Sequence, residues 1–375
     1  MSHSSLHSVY TALVLALSTS SFGLSLTSAN SFESILKNES LFTLAVALVY
    51  FGALFSNFFI RTIHGSDKVK LVIANILFVL GYSLPFLGFD FNILAVSRFI
   101  IGTAFGIVNA IVPLYISNIS PQKAKTFLTT LNSAGCSLGI ALGHYLNVSF
   151  DSHAILRYII LFTAVQTFLL IFILPNKAGQ THFFNSCTNL FENQKALKAL
   201  LIALSLHISQ QLSGINYMTI FTNRLFTDKH ASVKFNSIAT AVIFLSGYIL
   251  NTLGKRTALM FSVACVIGSM LLIQFRVLDG LSVIIYFIGF NSGLSSIPWT
   301  CLDELFEESA LDFGSWFAIS TNYLMAFLMT YGVSLLTKFL GNYHFYFYIV
   351  SMSIASLVLW IVYKPESMLK TPQLE

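Results

Sequence analysis

The sequence predicts an all-α membrane protein with twelve transmembrane helices, and three observations carry that prediction. Of its 375 residues, 55% are hydrophobic and only 9% are charged, against about 25% charged in an ordinary soluble domain. The mean hydropathy is +0.77. A surface so poor in charge is not solvated by water, so hydrocarbon must be the main solvent. Finally, apolar runs near the ~20 residues that cross a bilayer recur from end to end, which excludes one large soluble core.

The apolar segments run over 8–26, 41–60, 70–89, 93–116, 127–146 and 154–174, then 199–221, 235–253, 258–275, 281–301, 313–336 and 345–363. Most connections are short, which makes neighbouring helices antiparallel. Only His3 and His7 precede the first segment, so it lacks the basic flank of a signal peptide and reads as a span. The longest connection, 175–198, is polar and carries Lys177, Glu192, Lys195 and Lys198. It divides the chain into an N-terminal six-helix half (1–174), a linker (175–198), a C-terminal six-helix half (199–364) and a tail (365–375).

Lysine and arginine set the expected orientation. Arg61, Lys68, Lys70, Lys123, Lys125, Lys177, Lys195, Lys198, Lys255, Arg256, Lys364 and Lys370 fall on the side of the termini. Fewer lie towards the other face: Lys37, Arg157, Arg224, Lys229, Lys234, Arg276 and Lys338. Arg98 lies within the fourth span. Basic loops face the cytoplasm, so both termini are expected there. The sequons at Asn38 and Asn147 then face outside, with Asn38 the better acceptor because the loop at Asn147 is short. The same loops account for the net charge of +5.

The halves echo each other. A glycine turn at Gly65 follows span two and another at Gly254 follows span eight, while Pro113 late in span four matches Pro298 in span ten. The similar offsets suggest a duplicated six-helix unit. Parallel repeats of this kind build the major facilitator fold.

Other chemistries find no footing. Cys136, Cys187, Cys265 and Cys301 are scattered without metal spacing or a disulfide framework. No nucleophile–base set, phosphate loop or metal cluster suggests an enzyme, and no basic aromatic stretch suggests nucleic acid. No cofactor is expected.

Span seven does carry chemistry. Gln210, Gln211 and Asn216 are amides in an otherwise apolar helix, where polar groups are expensive unless they meet a partner or a wet cavity. An amide donates and accepts, as a sugar hydroxyl does; the alternative is that these amides join helices. Trp299 follows Pro298 in a stretch rich in glycine and serine that can bend. Its indole suits the apolar face of a sugar ring, unless it is an interfacial anchor.

Gln210-Gln211-Leu212-Ser213-Gly214-Ile215-Asn216 resembles the Gln-Gln-x-x-Gly-x-Asn signature of the sugar porter family, which includes the facilitative glucose transporters. Gly293 to Trp299 followed by Glu304-Leu305-Phe306 is similar to that family's span-ten motif. Arg98-x-x-x-Gly102-x-x-x-Gly106 and Pro113-Leu114-Tyr115 match its span four, and Pro365-Glu366-Ser367 its C-terminal Pro-Glu-Thr. The resemblance implies sugar contacts at Gln210, Gln211, Asn216, Asn291 and Trp299, with Ser133, His207, Phe221 and Tyr323 as further cavity positions. It implies cytoplasmic gate residues at Lys125, Lys255, Arg256 and Glu304.

The departures inform too. Ser25 stands where proton-coupled relatives carry an Asp, and Asn291 where many place a Glu. No acid remains inside a span, which favours uniport over proton symport, although His207 could still titrate. Ser133 replaces a sugar-binding Gln, Tyr323 a Trp and Phe221 a Tyr. Asn251, Asn118 and Leu311 thin the family's charge lattice, so the inner gate should open readily. The expectation is transmembrane transport of a hexose by alternating access, as a monomer in a lipid bilayer, most simply the plasma membrane. The alternatives are proton-coupled symport, transport of a polyol or other small polar solute, or a non-transporting sugar sensor. The short tail after Tyr363 disfavours the sensor.

Overall fold

A computed structural model describes residues 3–363, apart from 37, 61–62, 64, 122–123, 175–177, 180–182, 223–224, 227 and 229. Lys37, Arg61, Lys123, Lys177, Arg224, Lys229 and the motif at Pro365 lie outside the described residues, as do Lys364, Lys370 and the side chain of Asn251.

The N-terminal part consists of α1 (His3–Ser28), α2 (Glu39–Ile60), α3 (Asp67–Ser83), α4 (Phe91–Ile119), α5 (Lys125–Ser149) and α6 (Ser152–Ile173). A short helix, α7 (Phe183–Glu192), occupies the polar linker. The expected span seven is two helices, α8 (Gln194–Leu212) and α9 (Ile215–Ile220). Spans eight and nine are α10 (Ala231–Leu253) and α11 (Lys255–Gln274). Span ten is broken into α12 (Asp279–Ser292), α13 (Ile297–Thr300) and α14 (Leu302–Leu305). Spans eleven and twelve are α15 (Glu308–Leu340) and α16 (His344–Val362). The fold is the all-α major facilitator arrangement of twelve spans.

Helices outrun the apolar segments because polar caps extend them. The Asp90 carboxylate accepts from the Asn92 and Ile93 amides to start α4, Asp151 caps α6 and Asn193 caps α8. Eight stretches among the described residues are long and apolar enough to cross a membrane by composition, the last holding both α15 and α16. Those that fall short are α5, α8–α9 and α10. They are the spans that turn amides and hydroxyls into the bundle.

Glycine sets the packing of the first part. A Cβ at Gly135 or Gly139 would collide with the carbonyls of Ala16 or Ser20 on α1, and one at Gly143 with Thr27. This small-residue stripe lets the α1 and α5 backbones touch, which is how helices gain dispersion energy where lipid offers no hydrophobic drive. Bulky apolar side chains such as Phe168, Phe172 and Leu161 face outward, the inverse of a soluble protein.

The two ends of the bundle are distinct. The proximal end carries α7 and the α2–α3 connection, where Gly65–Ser66 pairs antiparallel with Ala178–Gly179. There α7 docks on α15: Phe183 lies against Phe313 and Trp316, and Ser186 Oγ accepts from the Phe313 amide. The opposite, distal end carries the α1–α2 and α11–α12 connections. The linker is therefore more than a spacer.

Candidate functional site

Two backbone breaks shape the site. Gly214 separates α8 from α9 with φ +77°, a left-handed conformation that favours glycine. Space demands glycine too, since a Cβ would lie 2.9 Å from Met270 Cε and 3.1 Å from the Tyr348 ring. In span ten the helix stops at Ser292 and resumes at Ile297. Sequence had put the bend at Pro298; the break instead covers 293–296, and Pro298 sits in the first turn of α13. Its missing N–H costs nothing there. Close packing occupies the break, where a Cβ at Gly293 would lie 2.7 Å from the Ala258 carbonyl.

Between the two parts lies a cavity of about 160 Å³. It is lined by Gln210, Gln211, Asn216, Asn291, Trp299, Ser133 and Tyr323 of the sequence-derived candidates. His207 and Phe221 lie outside it. His207 is fully buried behind the cavity, edge-on to Trp299 at 5.0 Å between ring centres, and its ring nitrogens find no partner among the described residues. Phe221 packs on Phe42 and Tyr217. His207 shares the helical face of Gln210 and Gln211 but sits one turn earlier in α8, against Trp299, while Phe221 follows α9 beyond the break at Gly214.

The amides form a chain. Tyr50 Oη donates to Asn216 Oδ1 at 2.9 Å, and Asn216 Nδ2 donates to Gln211 Oε1 at 2.9 Å. Gln211 Nε2 then donates to Asn322 Oδ1 at 3.1 Å, whose Nδ2 donates to Gln210 Oε1 at 2.8 Å. The chain ends where Gln210 Nε2 meets the Leu294 carbonyl at 2.8 Å and the Ser295 carbonyl at 3.1 Å, both in the span-ten break. The two readings of these amides are thus compatible: they line the cavity and also join α2, α8, α9, α15 and the break in span ten. Each carbonyl oxygen accepts one bond and keeps a second lone pair.

The opposite wall is less polar. Phe22 and Phe105 stack with ring centres 3.3 Å apart, and Asn109 Nδ2 donates to Tyr323 Oη at 2.9 Å. Asn132, Asn236 and Asn322 also line the cavity. They carry the signal that marked span seven, an amide in an apolar segment, but lack a motif to single them out. Among the described residues no Asp or Glu lines it. Arg98 is buried nearby and donates to the Ser25 carbonyl at 2.5 Å, while Ser25 Oγ turns back to Phe22 of its own helix.

Contacts bridge the cleft at both ends. At the proximal end Lys125 pairs with Asp303 at 2.6 Å and Ser117 Oγ donates to Asp303 at 2.8 Å. Asn57 Nδ2 donates to Ser320 Oγ at 2.9 Å and to the Trp316 carbonyl at 3.3 Å. At the distal end Asn30 Nδ2 donates to the Ile220 carbonyl and His144 Nε2 to the Thr219 carbonyl, each at 2.9 Å. The structure does not bring the four gate candidates together: Lys255 pairs with Glu304 at 2.6 Å on its own side of the cleft, and Arg256 lies over Trp360 at 4.9 Å. Only Lys125 bridges the cleft, through Asp303, which sequence reasoning passed over for its neighbour Glu304.

The family model described as "Sugar (and other) transporter" matches residues 7–177 and 173–373. The chain belongs to this sugar transporter family. As a member it is a membrane transporter, not an enzyme. It is 22% identical over 377 residues to human solute carrier family 2, facilitated glucose transporter member 4, covering 83% of this chain and 74% of that one. Against chicken facilitated glucose transporter member 1 the identity is 24%, over 83% of this chain and 77% of the relative. Among solved structures, the inward open conformation of the xylose transporter XylE from E. coli superposes with a TM-score of 0.77, at 16% identity, covering 96% of this chain and 97% of that one. The proton:xylose symporter XylE bound to 6-bromo-6-deoxy-D-glucose gives 0.76 at 15%, with 96% of each covered. That likeness shows the shared fold. Of this transporter's sequons, Asn38 is exposed and its Oδ1 accepts from the Leu41 amide at 3.2 Å. Asn147 instead donates to the Thr27 carbonyl at 2.6 Å, which commits its amide to packing.

Proposed function

We propose that this sugar transporter carries a neutral hexose by facilitative uniport, and that the central cavity is the binding site. The carrying observation is the amide chain from Tyr50 to Ser295, whose unused lone pairs and exchangeable bonds suit a ligand of many hydroxyls. Gln210, Gln211, Asn216, Asn291 and Trp299 would contact the sugar, with Ser133 and Tyr323 opposite. Relatives described as facilitated glucose transporters support the substrate class. The cavity's lack of a carboxylate supports uniport, because coupling to protons needs a group that changes charge in the pathway. His207, with no route into the cavity, does not supply one.

In this reading the halves 1–174 and 199–364 rock about the cavity, joined by the linker 175–198 and followed by the cytoplasmic tail 365–375. Lys125, Asp303 and Ser117 close the cytoplasmic gate, and Lys255, Glu304 and Arg256 brace it from one side. The transporter works as a monomer in the plasma membrane with both termini inside, which leaves Asn38 outside for a glycan. Uptake of radiolabelled glucose into proteoliposomes tests the reading. Saturable uptake, equal at about pH 5.5 and 7.5 and unmoved by a protonophore, is expected. Uptake no faster than in empty vesicles for any hexose would sink it, and stimulation by an inward proton gradient would replace uniport with symport. A panel of pentoses and polyols would show whether Ser133 and Asn291 have widened the specificity.

A further inference from the structure

Two amides on one wall of the central cavity are fixed in direction. Asn236 on α10 donates through Nδ2 to the Ser232 carbonyl of its own helix at 2.9 Å. Asn291 on α12 donates through Nδ2 to the Ala239 carbonyl of α10 at 3.1 Å. A main-chain carbonyl can only accept, so the group that meets it must be the side-chain NH2 in both cases. Each Oδ1 is thereby turned away from that bond. Neither oxygen has a partner among the described residues, and neither is sealed off by its surroundings. Both residues line the cavity, so the oxygens are what they present to a ligand.

The two oxygens belong to one patch. Asn236 and Ala239 share a face of α10, three residues apart, and Asn291 is tied to Ala239. Ile243, Phe287 and Phe290 line the cavity from the same two helices and offer no side-chain donor. Helix association does not account for Asn236, because its one bond stays within α10. An amide in an apolar span is expensive unless it meets a partner or a wet cavity. What remains for Asn236 Oδ1 is a donor brought in by the solute.

We propose that Asn236, together with Asn291, forms an acceptor-only clamp that requires the solute to donate a hydroxyl proton, and that Asn236 is a specificity-determining residue. The clamp rests on the reading of the solute as a neutral sugar and deepens it. A hydroxyl satisfies the two oxygens. A fluorine, a methoxy oxygen or a hydrogen in its place brings no proton and leaves them unpaired, at a cost. An anionic group is turned away by the same two carbonyl dipoles. The gluten of the selectivity is hydrogen-bond direction rather than size, since fluorine is no larger than the hydroxyl it replaces.

The test is competition with radiolabelled glucose uptake in proteoliposomes, using glucose analogues in which one hydroxyl at a time is replaced by hydrogen or by fluorine. In the wild type, at one ring position, the fluoro and deoxy analogues should both compete about ten- to a hundredfold less well than glucose. Asn236→Leu should cut that penalty about fivefold and leave the penalties at other positions unchanged. Asn236→Ala gives the same comparison should the leucine variant not fold, and thermal stability reports folding for both. Penalties that Asn236→Leu or Asn236→Ala leaves intact at every position would overturn the clamp, as would a wild type that accepts fluorine everywhere as well as hydroxyl. In either case glucose uptake stands and so does the transport reading. A wild type that takes up no hexose removes the transport reading and the clamp with it.

Discussion

The two parts of the bundle solve opposite problems. In the first, α1 to α6 are continuous helices whose backbones touch through glycines, and even Pro113 lies within an unbroken α4. In the second, spans seven and ten are each broken, at Gly214 and at 293–296, and the polar chain terminates in the second break. Close backbone packing makes a rigid body, because nothing at the interface has a rotamer to change. A broken span held by side-chain amides can change partners at small cost, since such bonds average about 0.6 kcal/mol in membranes. The contrast marks the first part as the stiffer body and the second as the one whose spans can bend.

The comparison can be broken first on the stiffer body. Gly139→Leu forces a side chain into the Ser20 carbonyl and should cost more than about 3 kcal/mol, with no folded protein recovered by gel filtration. Gly268→Leu, at a site with nothing within 4 Å, should behave as wild type. Equal outcomes would refute the packing argument. Next, Gln211→Leu removes the centre of the amide chain while leaving α8 intact, so uptake should fall about ten- to a hundredfold with little change in thermal stability. A variant that transports normally would reduce the amides to helix glue.

Smaller effects sharpen the account of the part that bends. Gly214→Ala places a side chain at φ +77° against Met270 and Tyr348, at about 1–2 kcal/mol. It should slow uptake several-fold through the turnover rate more than through KM. The mildest change is Asp303→Asn, which weakens a partly buried pair with Lys125. Such a pair contributes about 0.2–1 kcal/mol, so the balance should move roughly two- to fivefold towards the inward-open state. Thiol accessibility on the proximal face measures it. No shift would mean that Asn57 and the aromatic contacts around Trp316 hold that gate alone.

The expectation of a readily opened inner gate is changed by Asp303. The lattice is thin in family terms, with Asn118 and Leu311 neutral, yet Asp303, one residue before Glu304, supplies a bridge across the cleft. Adjacent acids at the end of α14 point in different directions around the helix. Only the packing decides which of them faces Lys125.

The sequence by itself determined the membrane class, the spans and the position of the polar stripe. Hydropathy acts locally along the chain, and an amide in an apolar helix stands out without any knowledge of its neighbours. Gln210, Gln211 and Asn216 were legible for that reason, and the sugar porter motif supplied Trp299 and Asn291. The tertiary structure alone decided what meets what: that Asn322 sits between the two glutamines, that His207 and Phe221 lie outside the cavity, and that span ten breaks before its proline. Those facts depend on which residues from distant spans share a few ångströms, and no periodicity along one helix records them.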